Sequence, residues 1–341
     1  MPEVSGVFLQ EVTVISLNDY LYNGDTVFKI LKRYSSDLKK SSLESKNPID
    51  MMHCNFLIQL SELLEHNDFL TAQSQQLREF YKYMAENYPF LAFTFKGRIK
   101  SLIRAEEKFN GKIVSFIYDY YLNHGNFPNI PEIKNRLNRF RDLIAYRIVI
   151  SMPRCHLNSE SERENVELKY LYEIANKLPE FLEERGFTPE ILKVQMPTSP
   201  LLNPDVQPYY KDYIANTSPF GYRSLHITFY DNTARSYIEV QLRTKEMDDF
   251  AEIGPANHQG YEYRQESERT RRDLIPFGQC VFFDEAYERC QKLQQLDLSK
   301  IDVNMFKAMN NSLINDCCGL FRGRLILPYE HLSRFQNDII D

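Results

Sequence analysis

The stretch GYRSLHITFYDNTARSYIEVQLRTKEMDDFAE, residues 221 to 252, restricts the fold more than any other part of the chain. Leu225, Ile227 and Phe229 stand at every second place of its first half, and Ile238, Val240 and Leu242 at every second place of its second. Such alternation marks two half-buried strands, because successive side chains leave a pleated strand on opposite faces. Ser224, His226 and Thr228 then share the other face of the first strand, and Glu239, Gln241 and Arg243 that of the second. A hairpin aligns these faces only if its loop holds an even number of residues, and Asp231 to Ala234 would serve. An ordinary amphipathic hairpin alternates in the same way. Its solvent face usually carries Lys, Thr and Ser, however, whereas this one gathers an acid, an amide, a guanidinium and an imidazole. Gly221-Tyr222 adds a large aromatic at the entrance of the first strand, where a flat ligand could stack.

The chain around this hairpin has 341 residues, enough for one large domain or two to three small ones. At 43% hydrophobic and 26% charged it reads as a soluble globular protein with a real core. Its formal net charge of -6 disfavours a nonspecific grip on nucleic acid, though not a local basic patch. Six cysteines are scattered without a CxxC pair, and adjacent Cys317-Cys318 suits neither a zinc site nor an ordinary bridge. They read as reduced thiols of a cytoplasmic protein. The N-terminal MPEVSGVFLQEVTVISLNDY lacks the pattern of a signal peptide, and no apolar run approaches the roughly 20 residues of a membrane span.

Residues 1–90 look mostly helical, with apolar residues three and four apart in NFLIQLSELLEH and QQLREFYKYMAENY. Polar SSDLKKSSLESKNP, residues 35–48, reads as a loop or an exposed helix end. Over 91–265 helix and strand signals alternate. FKGRIKSLIRAEEKF reads as a helix, RDLIAYRIVIS as a buried strand, and ELKYLYEIANKLPEFLEERG as a helix ended by Gly186. LNPDVQPYYKDYIANTSPFG reads as a long loop, and KEMDDFAEIGPANHQGYEY as the start of another helix. Residues 266–341 turn mainly helical: FFDEAYERCQKLQQL places Phe283, Ala286, Tyr287, Cys290 and Leu293 on one side, and GLFRGRLILPYEHLS has room for one short strand. The expected organisation is an α+β core at 91–265, flanked by helical segments at 1–90 and 266–341.

Several charged residues could serve chemistry. In RIKSLIRAEEK, Lys100, Arg104 and Lys108 recur every four residues, one cationic stripe on a helix that starts near Arg98. The spacing matches a di- or triphosphate chain. The plainer reading is a solvated face balanced in part by Glu106 and Glu107. Asp142 directly precedes the apolar run LIAYRIVI; beside a second carboxylate on a neighbouring strand, Glu239, it would make a platform for Mg2+. Arg147 lies five residues on and would face away from Asp142 in an ideal strand. Either Asp142 sits before the strand or a bulge intervenes.

Taken together, these elements resemble the synthetase domain of the RelA/SpoT family. Its R-x-K helix with a second lysine eight residues later is matched by Arg98, Lys100 and Lys108, and its aspartate-led strand by DLIAYR, Asp142 to Arg147. KDYI, Lys211 to Ile214, is followed by GYxSLH, Gly221 to His226. E-x-Q-x-R-T, Glu239 to Thr244, is followed by Met247 and by AEIGPANH, Ala251 to His258. The motifs span about half the chain. The resemblance implies a mixed-sheet, nucleotidyltransferase-like core and a pyrophosphokinase that transfers pyrophosphate from ATP to the 3′-hydroxyl of GDP or GTP. It implies that Arg98 and Arg147 sandwich adenine, that Lys100 and Lys108 hold the ATP phosphates, and that Asp142 binds Mg2+; Arg104 joins the expected ATP-binding residues through the cationic stripe. Glu239 would complete the metal site or draw the 3′-hydroxyl proton. Lys211, Tyr222, His226, Gln241 and Arg243 would bind the acceptor nucleotide, with Tyr222 stacked on guanine.

The departures matter as much. Arg104 stands where the family helix has serine, Ala145 where its strand has glycine, and Ser218 and Phe220 where a lysine and an asparagine serve the acceptor. Phe220 lacks the amide that reads a guanine edge, so discrimination of the base is expected to be weak. That loss keeps open transfer to the 3′ end of tRNA, or a non-catalytic nucleotide-sensing role. The His-Asp pair of the family's hydrolase domain is missing, His66-Asn67-Asp68 being the nearest sequence. The expectation is a synthetase without a hydrolase domain, its C-terminal extension free to dock on the core, bind a regulator or form a homo-oligomer.

Overall fold

A computed structural model of the protein describes residues 14–65, 67–100, 102–137, 140–157, 159–217, 221–252, 279–297, 300–301, 319–321 and 324–326. Its elements begin with α1 (Asn18–Leu21), α2 (Val27–Ser45), α3 (Pro48–Glu65), α4 (Asn67–Asn87), β1 (Ala92–Ile99) and α5 (Leu102–His124). Then come α6 (Ile130–Leu137), β2 (Ile144–Ser151), α7 (Arg163–Glu183), β3 (Phe187–Pro189), β4 (Tyr210–Asp212) and β5 (Leu225–Asp231). β6 (Ser236–Thr244), α8 (Lys245–Glu252), α9 (Val281–Gln294), β7 (Gly319–Phe321) and β8 (Arg324–Ile326) complete the order. Contacts divide the chain into two compact units. One comprises Met1–Ser61, Glu106–Leu137 and Pro276–Asn304; the other comprises Glu62–Ala105, Asn138–Ile275 and Met305–Asp341.

The second unit is α+β and is built on a mixed sheet in the order β1-β2-β6-β5-β3, with β4 also paired to β5. β2 and β6 run parallel; the other pairs of this sheet are antiparallel. The alternation in the hairpin sets its register. Leu225, Ile227, Phe229, Ile238, Val240 and Leu242 are all fully buried, each contributing roughly 1.5–3 kcal/mol by leaving water. α7 packs on β2, β3 and β6 with Leu171, Ile174, Ala175, Leu178 and Leu182 buried, while α8 lies against β2 and β6. Asp231 pairs with Ser236, leaving Asn232 to Arg235 as the even-numbered loop, with Arg235 at φ 53°.

Two local expectations need correction, and one alternative left open is decided. Residues 95–99 are not helical: Ala92–Ile99 pair with Ser151–Ile144 along the whole of β1, and the helix starts only at Leu102. The eight ladder positions override a helical reading of RIKSLIR, and Lys100 falls between the two elements. Of the two readings of residues 35–48, the helix end holds for 35–45, which belong to α2: Leu38 and Ser42 continue the buried stripe of Val27, Ile30, Leu31 and Tyr34 through the polar run. Thr26 caps the start of that helix and left-handed Lys46 ends it. The tail forms two short paired strands, β7 and β8, rather than one.

The first unit is helical in its described part. Its core includes Leu17, Ile30, Leu31, Leu38, Leu57, Phe109 and Phe283. Within it Glu106 is fully buried, which overturns its reading as a solvated balance for the nearby lysines. Tyr34 donates to Glu106 Oε1 at 2.5 Å, His53 Nε2 meets Oε2 at 2.5 Å, and Asn110 Nδ2 donates to Oε1 at 3.1 Å. Arg289, buried on α9, pairs with Asp50 at 2.8 Å and donates from Nε to the Ile15 carbonyl. Burial pushes the Glu106 carboxyl up, but the His53 charge and the hydrogen bonds of His53 and Tyr34 outweigh it, and the net shift is downward. Cys54, Cys155, Cys280 and Cys290 form no disulfide among the described residues, and no helix among them is long and apolar enough to cross a membrane. His66, Ser218, Phe220, Cys317, Cys318 and the residues from Ile253 to His258 lie outside the described residues.

Candidate active site

Directly paired residues share a face of the sheet, so the ladder register assembles the polar rows. One row runs Arg147, Gln241, His226, Lys211; the next runs Ala145, Glu239, Thr228, and in β1 the backbone of Arg98 pairs with Ala145. Candidate residues scattered from 98 to 241 in sequence thus occupy neighbouring register positions. Gly221 delivers Tyr222 to this face. Its φ of 77° is one that side chains rarely adopt, and a Cβ there would meet the Phe250 ring at 3.1 Å.

Five side chains close a hydrogen-bonded ring. Glu239 Oε1 meets His226 Nδ1 at 3.3 Å, and His226 Nε2 meets the Tyr222 hydroxyl at 2.7 Å. Arg243 Nη2 donates to that hydroxyl at 2.6 Å and to Gln241 Oε1 at 3.0 Å. Gln241 Nε2 donates back to Glu239 Oε2 at 2.8 Å. Both carboxylate oxygens are therefore held. The Arg243 guanidinium lies 5.0 Å from the centre of the Tyr222 ring, while Tyr213 and His226 meet that ring edge-on. Burial is the strongest influence on Glu239 and would raise it. The His226 charge, with hydrogen bonds from His226 and Gln241, overcomes burial and holds the carboxyl down at about 2. The charge of Asp142 pushes the other way, so the two carboxylates lie within electrostatic reach of each other.

Asp142 sits before β2, which resolves its relation to Arg147 without a bulge. Lys100 approaches Asp142 Oδ2 at 3.5 Å, and its backbone N–H donates to the Leu143 carbonyl at 2.7 Å. On β2, Arg147 Nη1 donates to Asp248 at 2.9 Å and to Glu252 at 2.7 Å. Its Nε is buried without a hydrogen-bond partner among the described residues. Burial opposes the charge of Arg147, but Glu252 and Asp248 outweigh it and raise the guanidinium. Lys211, on β4, stands opposite His226. Arg104 and Lys108 are one turn apart on α5, but Lys108 falls in the helical unit, and with Lys100 outside the helix the expected three-cation stripe does not form.

Asp248, Glu252, Asp212 and Tyr213 were not singled out from the sequence. Asp248 and Glu252 stand four apart on α8, a spacing that puts both carboxylates on one face and was available to see. Asp212 is buried and accepts from the Tyr172 hydroxyl and from the backbone of Ser199, Ile214 and Ala215, so it pins the loop after β4. No periodicity announces that role.

Residues 191–266 match the family described as "Region found in RelA / SpoT proteins". GTP pyrophosphokinase rsh of Brucella ovis is 46% identical over 55 residues, 16% of this chain and 7% of that protein. The chloroplastic GTP diphosphokinase CRSH2 of Oryza sativa subsp. japonica is 39% identical over 77 residues, 21% of this chain and 14% of its own. The chain thus spans a small fraction of the length of these relatives. Among solved structures, small alarmone synthetase 1 from Bacillus subtilis bound to its product pppGpp aligns over 67% of this chain and 87% of that one, at 16% identity and a TM-score of 0.26. Small alarmone synthetase 2 from the same organism aligns over 67% and 90%, at 18% identity and a TM-score of 0.28. Arg98, Lys100, Arg104, Lys108, Asp142 and Arg147 precede the matched stretch. Residues 191–266, which hold the closed ring and the α8 carboxylates, are thus similar to the region found in RelA / SpoT proteins.

Proposed function

We propose that this protein transfers the β,γ-pyrophosphate of ATP to the ribose 3′-hydroxyl of GDP or GTP. The observation that carries the reading is Glu239, ionised and held at both oxygens within a ring that also fixes Tyr222. In the reaction the acceptor 3′-oxygen attacks the β-phosphorus of ATP. The bond from that phosphorus to the oxygen bridging the α-phosphate breaks, AMP leaves, and the hydroxyl proton passes to Glu239. A carboxyl at about 2 is a weak base in the empty protein. The negative phosphates of two bound nucleotides would raise it toward a working value, since like charge disfavours the ionised form.

Phosphoryl-type transfer otherwise needs positioning and cations around the developing charge. Lys100, with Arg98 and Arg104 of the same unit, would supply these for the ATP phosphates. In the empty protein Arg147 is held at Nη1; the faces of its guanidinium would take adenine, and its Nε–H, without a hydrogen-bond partner among the described residues, would donate to the nucleotide. Tyr222 would stack on the acceptor base, with Lys211 and Arg243 near its phosphates. Asp142 and Glu239, two carboxylates in electrostatic reach, suit a hard, oxygen-seeking ion, and Mg2+ would be held there. Among the described residues no cluster of three metal-ligating side chains forms, so the ion would take its other ligands from phosphates and water. When bound, it would neutralise charge on the transferred group.

The test is incubation of the purified protein with γ-labelled ATP, Mg2+ and, separately, GDP, GTP, ADP or deacylated tRNA. Label should appear on GDP and GTP, and Glu239→Gln should remove it. Label on tRNA alone would replace the acceptor, and no label on any of them would overturn the reading.

A further inference from the structure

The closed ring and Arg147 meet at one atom. Asp248 Oδ1 accepts from Arg147 Nη1 at 2.9 Å and from Arg243 Nη1 at 3.3 Å. Asp248 is buried, its side chain 5% exposed, and the two guanidiniums that share it are 15% and 3% exposed. Arg243 is a member of the ring and Arg147 is not. Glu252, half exposed, touches Arg147; no contact of Glu252 with Arg243 is among those of the described residues. The two α8 carboxylates therefore differ: one grips a single arginine, the other joins two.

We propose that Asp248 is a positioning residue that couples the ATP side of the site to its acceptor side. This rests on the pyrophosphotransferase reading, in which Arg147 serves ATP and Tyr222 serves the acceptor. The physics is competition for one oxygen. A nucleotide that engages Arg147 draws its guanidinium off Asp248, and the carboxylate closes on Arg243. Arg243 then presses its Nη2 onto the Tyr222 hydroxyl and Gln241, which orders the stacking platform and Glu239 together. Binding of either nucleotide prepares the protein for the other. Such coupling commonly amounts to a factor of about 5–150, and linkage makes it equal in both directions.

The experiment is calorimetric binding of a non-hydrolysable ATP analogue and of GDP, each alone and each in the presence of the other, with Mg2+. In the natural protein each ligand should tighten the other by at least about fivefold. In Asp248→Asn, which keeps the shape and removes the charge, the coupling factor should fall to about one. Glu252→Gln should weaken the analogue while preserving the factor, a split that a merely structural helix contact would not produce. Should Asp248→Asn fail to fold by thermal melt, Arg243→Lys, which removes the other arm of the shared contact, carries the same expectation. A factor unchanged in the variant, or no coupling in a natural protein that binds both nucleotides, overturns the role of Asp248 alone. Failure of the natural protein to bind either nucleotide overturns the functional reading and the coupling with it.

Discussion

Replacing His226 with asparagine should release the Glu239 carboxyl from the charge that holds it ionised. Burial, the largest influence on Glu239, remains in the variant and acts upward, so its folded value should climb from about 2 to the ordinary 4.5 or beyond. The sign follows from linkage. A carboxyl whose folded value is depressed contributes stability above its unfolded value and loses it as pH falls through the folded one. From 4.5 down to about 2, at roughly 1.4 kcal/mol per unit, the natural protein holds about 3 kcal/mol at pH 6. About 1 kcal/mol remains at pH 3. The variant holds none of it. Urea denaturation from pH 6 to pH 3, followed by circular dichroism and tyrosine fluorescence, reads the difference directly. The gap between natural and variant protein should shrink by about 2 kcal/mol across that range. A second readout is turnover: the acid limb from Glu239 should lie at higher pH in the variant than in the natural protein. A stability gap that is the same at every pH would refute the link between His226 and Glu239.

Glu239→Gln and Asp142→Asn should each abolish pyrophosphate transfer with thermal midpoints close to that of the natural protein, measured by label transfer and melting in parallel. Lys100→Ala removes a charge-assisted contact of about 1.5–3 kcal/mol, so the Michaelis constant for ATP should rise roughly tenfold to a hundredfold; Arg104→Ser tests whether that cation also faces the phosphates. Tyr222→Phe opens the ring at His226 and Arg243 while keeping the stacking face, so kcat should fall with little change in acceptor affinity, whereas Tyr222→Ala should destroy acceptor binding in calorimetry. In the helical unit, Glu106→Gln breaks a fully buried pair with His53 and should cost about 3–5 kcal/mol in urea denaturation; a cost near zero would mean that the cluster contributes nothing.

The hairpin was legible because its information is local. Period-two alternation at Leu225 to Phe229 and Ile238 to Leu242 dictates which face is buried, and an even loop then dictates that His226 and Glu239 share the other. Three-and-four spacing likewise announced the apolar stripes of α7 and α9. Where two periods overlap, local reading failed. RIKSLIR satisfies a helical count, yet β2 offers an edge along which Ala92–Ile99 can pair, and ladder hydrogen bonds decided the matter. The same failure made a helical stripe of Lys100, Arg104 and Lys108. Glu106 misled for a different reason: an acid beside lysines reads as solvated until Tyr34 and His53, 72 and 53 residues away, close over it.

Sequence alone therefore determined the chemical types at the site and the faces they occupy: an acid, an imidazole, an amide and a guanidinium on one side of a hairpin, an aspartate ahead of a buried strand, and cations after β1. Tertiary structure alone decided who touches whom. The parallel pairing of β2 with β6 set Ala145 beside Glu239 and Arg147 beside Gln241, and packing of α8 on those strands brought Asp248 between two arginines. Neither is written in any local pattern. Periodicity fixes the direction of a side chain from its own backbone, whereas contact across strands and helices depends on long-range pairing whose stabilisation comes from burying the whole sheet.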